Sequence, residues 1–206
     1  LKVELLQKEA ANLTLESELR NLKYQLQPHF FFNSLNNIYA MVDQAPDKAK
    51  QTLHTLSKLM RYLLQSSQVE KVALADEVSF INRYISLMAL RQNVNVNIET
   101  HFPERMPDIS IAPLLFVSIV ENAFKHGVSP NKPSRLYFEM KIGADKQITF
   151  VSRNYLFPKD KNDMSESGIG LENLRKRLLL MYENNHTFII DSDNEQFAVT
   201  LSVKGT

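Results

Sequence analysis

Three stretches of this chain carry residues whose types and spacing can do chemistry. QPHFFFNSLNNI (27 to 38) sets His29 directly after Pro28, with Asn33 four residues further on. With an unperturbed pKa near ~6.5, an exposed imidazole is mostly neutral at neutral pH and has a nucleophilic nitrogen. An amide one helical turn away is within reach of the ring and can bias its tautomer. ENAFKHG (121 to 127) puts Asn122, Lys125 and His126 on one helical face together with Ser118, one turn before Asn122. An amide oxygen there can ligate Mg²⁺, which takes hard oxygen donors, and a lysine one turn on can meet a phosphate. SGIGLEN (167 to 173) places Gly168 and Gly170 at the entrance to a helix. Glycines let a backbone approach phosphate closely, and the N–H groups of a helix start attract anions.

Each stretch also has a plainer reading. A leucine heptad continued through Pro28 lands on His29, Asn33 and Asn36, so His29 can equally be a seam histidine. The second stretch reads as a solvated polar face ending at a glycine cap, and a lone GxG is more often a tight turn. It is not a Walker loop, because no GK[ST] follows. The residues by themselves leave these alternatives open.

Leu15, Leu19, Leu22 and Leu26 form a heptad seam, suited to a helix that pairs with a second copy or packs within its own chain. Phe31, Leu35, Ile38 and Val42 have the same spacing in a different phase, and a kink near 24 to 28 at Pro28 accommodates the change. After the turn signal QAPD (44 to 47), Leu53, Leu56, Met60 and Leu63 make a third stripe. A single helical hairpin buries its apolar faces poorly, whereas two hairpins make a four-helix bundle, so a homodimer is expected.

SSQVEKVA (66 to 73) is polar and marks a boundary, dividing the chain into 1–70 and 71–206. Beyond it a helix is expected over 76 to 92, with Phe80, Tyr84, Leu87 and Met88 inward. VNVNIETHF, LYFEMKI, ITFVS and QFAVTLSV alternate as strands do. Pro113 suits the first turn of a helix running to His126, with Gly127 as its terminator. Residues 155 to 167 read as a mobile loop and 170 to 182 as a helix, while His186 reads as part of a terminal turn. Strands without strict βαβ alternation, accompanied by three helices, predict an α+β sandwich with helices on one sheet face.

Composition narrows the classes. The 206 residues suit one large domain or two small ones, and 44% hydrophobic content supports a real core. A net charge of +1 provides no field that favours nucleic acid or a membrane surface. There is no cysteine, hence neither disulfides nor thiolate metal sites. No apolar run approaches the ~20 residues that span a bilayer. LKVELLQKEAANL lacks the apolar region of a signal peptide, and its start in mid-pattern is expected of a piece of a longer chain.

NAFK followed by a polar loop and then GIGLEN resembles the ATP-binding domain of the GHKL class, shared by histidine kinases and gyrase. LKYQLQPHFFFNSLNNI, LSKLMRYLL, ISLMALRQ, IAPLLFVSIVENAFKHG and SGIGLENLRKRLLLMY are similar, in order, to blocks of the LytS/YehU-like branch of sensor histidine kinases. Five ordered matches over about residues 20 to 182 make the resemblance specific. It implies a dimeric helical hairpin followed by a GHKL (Bergerat-type) α/β sandwich that binds ATP and Mg²⁺. It implies that His29 accepts the γ-phosphoryl group, that Asn122 coordinates Mg²⁺ and that Lys125 contacts phosphate. It further places His126, Gly168, Gly170, Leu171 and Asn173 in the nucleotide blocks.

One departure stands out. Where such kinases commonly have Asp-x-Gly, with the aspartate accepting from the adenine amino group, this chain has Asn154 and Tyr155. A neutral acceptor weakens that bond by about 1 kcal/mol. Moreover, no acidic residue follows His29 to take its proton.

Two function classes follow. The first is a homodimeric ATP-dependent autokinase that passes phosphate to an aspartate of a response regulator, of the LytTR type by the same resemblance. The second is a non-catalytic dimeric signalling module with a degenerate nucleotide pocket. No nucleic-acid partner is expected. The resemblance implies a cytoplasmic position, with a membrane reached only through a bacterial inner-membrane segment upstream.

Overall fold

The computed structural model describes residues 28–92, 95–157, 169–193 and 195–206. The leucine seam at 15 to 26, loop residues 158 to 167 and Gly168 lie outside them. Helix α1 is described over Pro28–Met41, and helix α2 (Pro46–Ser66) begins on a proline. Proline suits a first turn, where its missing N–H has no intrahelical partner to lose. A short turn folds α2 back onto α1, with Ala45 N–H donating to Met41 O at 2.8 Å.

The remaining elements run β1 (Val72–Ala73), α3 (Leu74–Ala89), β2 (Val96–His101), β3 (Ser110–Ile111), α4 (Val117–His126), β4 (Ser134–Ile142), β5 (Gln147–Tyr155), α5 (Ile169–Tyr182), β6 (His186–Ser192) and β7 (Gln196–Lys204). β1 and β3 form a small antiparallel pair, and the other five strands form one mixed sheet in the order β2-β4-β5-β7-β6. Only its β2–β4 pair is parallel. This is the expected α+β architecture: N-terminal helices, then a five-stranded sheet with helices.

Register explains the core. Met140, Phe150 and Leu201 lie side by side across three strands, as do Ile142, Ile148 and Val203. Period-two alternation turns these rows to one face. There Phe116 stacks on Phe150 at 4.8 Å and Phe124 on Phe138 at 6.2 Å, joining α4 and the turn before it to the sheet. Burying each such ring contributes about 1.5–3 kcal/mol. The opposite face carries polar pairs, including the Arg135–Glu99 ion pair at 2.9 Å and Arg153 over the Tyr137 ring. No described helix is long and apolar enough to cross a membrane.

The hairpin shares this core. Phe30 of α1 stacks on Tyr84 of α3, and Tyr62 of α2 stacks on Phe80, both at 4.7 Å. Its inward residues are Phe30, Ser34 and Ile38 on α1 and Ala49, Thr52, Leu56, Leu59 and Ser66 on α2. The expected stripes are thus only partly inward: Leu35, Val42, Leu53 and Met60 are exposed. Each helix has apolar residues on more than one face, and contact with α3 selects one of them.

Three further expectations are corrected. β6 was not anticipated, and His186 begins that strand instead of lying in a terminal turn. HTFIIDS has no clean alternation because β6 is an edge strand, with Ile189 and Ile190 both exposed. α4 starts at Val117, four residues after Pro113, because Leu114 between them has φ 59° and interrupts any helix. α3 spans 74–89 and not 76–92, its first turn docking through Leu74 N–H to Ile109 O at 2.8 Å.

Candidate functional site

α4 separates its faces cleanly. Val117, Ile119, Val120, Ala123 and Phe124 are buried against the core, while Ser118, Asn122 and His126 are half-buried and Lys125 is exposed. The polar face expected from spacing is therefore present. Glu121, beside Asn122, is half-buried; burial pushes its carboxyl up and the Lys125 charge pulls it back.

Gly127 ends α4 with φ −98°, so a left-handed cap is not its purpose. Its purpose is close approach. A Cβ built there would meet Asn154 Cβ at 2.5 Å and Ala123 O at 2.6 Å. The end of α4 thus lies directly on the end of β5, and the missing side chain brings Asn154 up to the Asn122 block.

Asn154 is 5% exposed and occupies the inward row beside Leu136 and Phe197. Its Nδ2 donates to Tyr155 O at 2.8 Å, which leaves accepting to Oδ1. A neutral amide is less costly to bury here than a carboxylate. Tyr155, next along the strand, is 40% exposed on the other face, so its bulk is turned away from Asn154.

On α5, Leu171, Leu174 and Leu178 are buried, Asn173 is half-buried and Gly170 is exposed with open space around it. Leu171 therefore anchors the helix to the core. α5 packs on α4, so the second motif is carried beside the first. His29 lies on α1, one turn before half-buried Asn33. α1 meets the rest of the fold through Phe30 on Tyr84, and α3 in turn packs on α4.

Sequence reasoning missed the groups that hold α4 in place. Glu77, in the first turn of α3, is fully buried. Its Oε2 accepts from the Tyr62 hydroxyl at 2.5 Å and from Leu114 N–H at 2.9 Å, and its Oε1 accepts from Leu115 N–H at 3.0 Å. Arg177 of α5 grips the same turn from its carbonyls, donating to Leu114 O at 3.1 Å and Pro113 O at 2.7 Å. Tyr182 Oη accepts from Ala112 N–H at 2.9 Å.

These bonds hold a buried leucine in a left-handed conformation that costs roughly 1–2 kcal/mol. Burial pushes the Glu77 carboxyl up, while Tyr62, Leu114 N–H and the Arg177 guanidinium pull it back. Burial, then the Glu77 charge, pushes the Tyr62 phenol up, keeping it a donor. A signal was available: Glu77 falls in phase with Ile81, Tyr84 and Met88, and Arg177 stands between Leu174 and Leu178. A charge on an otherwise apolar stripe points to a buried partner.

Residues 17–96 match the family described as Histidine kinase. The sensor histidine kinase/phosphatase LytS of Staphylococcus aureus is 33% identical over 187 residues, covering 82% of this chain and 31% of that protein. This chain spans about a third of the length of the curated relatives it matches. Among solved structures, the histidine kinase domain of the Erythrobacter litoralis EL346 blue-light activated kinase aligns with a TM-score of 0.49 at 12% identity, covering 93% of this chain and 95% of that one. The Acinetobacter baumannii histidine kinase AdeS aligns at 0.47 and 8% identity, covering 85% and 94%. By its sequence this chain belongs to the histidine kinase family, within the LytS-like group of sensor kinases.

Proposed function

We propose that this chain is the kinase core of a two-component sensor, transferring the γ-phosphoryl group of ATP to His29. The observation that carries this reading is the meeting of Gly127 and Asn154. It supports one site in which the Asn122–Lys125 face and an adenine acceptor act together, in a chain 33% identical to LytS.

In this reading Oδ1 of Asn154 accepts from the adenine amino group and Lys125 meets a phosphate. Gly168, Gly170 and Asn173 border the phosphates, His126 borders the nucleotide and Leu171 anchors α5. The Asn122 amide oxygen would hold Mg²⁺ together with water and phosphate oxygens, a donor set that suits this cation. When bound there, Mg²⁺ would supply positive charge to offset that developing on the transferred group. Asn33 holds the ring N–H of His29, so the other ring nitrogen attacks phosphorus. The P–N bond forms, the bond to the bridging oxygen breaks and ADP leaves. Positioning and charge stabilisation do most of this work.

The assembly we propose is a homodimer formed by residues 1–70, with 71–206 as the nucleotide part. Phe32, Leu35, Tyr39, Val42, Leu53, Met60 and Leu64, apolar and exposed on the hairpin, support a second hairpin as partner. The phosphate would pass on to an aspartate of a cognate response regulator, of the LytTR type. Dependence on cellular ATP gives the site a cytoplasmic location.

Labelled Mg·ATP tests the reading. The chain should acquire phosphate that is stable to base and labile to acid, as a phosphoramidate is. His29→Gln should abolish that label and leave nucleotide binding intact. Equal labelling of the variant, with the same acid sensitivity, would move the acceptor elsewhere. A second reading, a non-catalytic dimeric module, is favoured by the neutral Asn154 in place of an aspartate. It would lead if calorimetry found no Mg·ATP binding at millimolar ligand.

A further inference from the structure

The buried bonds around Glu77 join three parts of the chain. Tyr62 belongs to the hairpin, Glu77 to α3, and the turn they hold at 113 to 115 leads directly into α4. Arg177 binds the carbonyls of that turn from α5, two turns beyond Gly170. N–H groups are held from one side and carbonyls from the other, so the turn has little freedom to move alone. The Tyr62 ring is held independently of its hydroxyl, by stacking on Phe80 at 4.7 Å.

We propose that Tyr62 couples the hairpin to the nucleotide site: through Glu77, the position of α2 sets the geometry of the turn from which α4 presents Asn122 and Lys125. This rests on the kinase reading of those two residues. A hydrogen bond weakens steeply with distance and angle, so a small slide or rotation of α2 detaches the hydroxyl from Oε2. Glu77 is then a buried carboxylate short of one donor, a condition that low-dielectric surroundings make costly. The relief open to it is movement of the turn it shares with Leu114 and Leu115. A shift in α2, whatever drives it, therefore reaches α4 through bonds and not merely through proximity. The coupling is reciprocal, so nucleotide at α4 must bias the position of α2. Tyr62, Glu77 and Arg177 are positioning residues in this scheme; none of them touches the phosphate.

The test is Tyr62→Phe, which removes the hydroxyl and keeps the ring. Hydrogen exchange without nucleotide should be at least about fivefold faster over residues 112 to 126, with β5 and β7 unchanged as internal controls. The dissociation constant for Mg·ATP should shift by at least about fivefold, and nucleotide-induced protection within α2 should disappear. Unchanged exchange over 112 to 126 overturns the proposal, as does an unchanged dissociation constant in a chain that binds Mg·ATP. Phe80→Leu loosens the ring stack but spares the hydroxyl. If it shifts nucleotide affinity as much as Tyr62→Phe does, packing and not the hydroxyl carries the effect, and the proposal falls. Failure of the unmodified chain to bind Mg·ATP refutes the nucleotide reading instead, and the exchange comparison then decides the coupling by itself.

Discussion

A Cβ added at Gly170 meets nothing within 4 Å, whereas one added at Gly127 collides with Asn154 and with the Ala123 carbonyl. Two glycines beside one site are thus used for different reasons. Gly127 serves the fold, because the α4–β5 contact needs its missing side chain. Gly170 has no such duty, and in a helix glycine is less favourable than alanine by roughly 0.5–1 kcal/mol. In the proposed site, approach of a phosphate to the backbone would be its use. Gly170→Ala should therefore hold or slightly raise the melting temperature while weakening Mg·ATP binding. Calorimetry and thermal denaturation on the same preparation check both halves. Full affinity in the variant would remove Gly170 from the phosphate-contacting residues.

At the scale of elements, the β4–β5 hairpin isolates a backbone cost. Lys146 sits in its turn at φ 63° with its side chain exposed, and its carbonyl accepts from Gly205 N–H at 3.0 Å. A left-handed lysine costs roughly 1–2 kcal/mol, part of which glycine returns as extra freedom in the unfolded chain. Lys146→Gly should raise stability by about 0.5–1 kcal/mol in urea unfolding and leave any nucleotide affinity untouched, since the turn lies at the opposite end of β5 from Asn154. Leu114 is also left-handed, but it is buried and its peptide groups are bound by Glu77 and Arg177. Glycine there would lose buried apolar area, so the same substitution would not be favourable.

Across the molecule as a whole, one apolar cluster of the described residues runs from α1 to the sheet, and a second apolar face of the hairpin is still left in solvent. An exposed surface of this kind is usual for an interaction site and unusual for a monomer. If a second hairpin covers it, Leu35→Arg should turn a dimer at micromolar concentration into a monomer in sedimentation. Its melting temperature measured in dilute solution should change little, because Leu35 is already 46% exposed within the chain. A chain that sediments as a monomer before mutation would remove the proposed bundle.

What the amino-acid sequence determined by itself was local. Period 3.6 marked α1 to α5, period two marked β2, β4, β5 and β7, and both follow from neighbours within one turn or one strand. The polar face of α4, with Asn122 and Lys125 opposite Val120 and Phe124, was legible for the same reason. Tertiary structure decided the rest. Glu77 and Leu114 are 37 residues apart, and Arg177 and Leu114 are 63, so no local period relates them. Which apolar face of α1 and α2 turned inward depended on Tyr84 and Phe80 arriving from α3. Strand β6 lacked alternation because an edge strand is held mainly by backbone bonds to its neighbour, which do not depend on side-chain pattern. Gly127 was legible as a helix end, but its need to lack a side chain arose only when folding brought Asn154 against it.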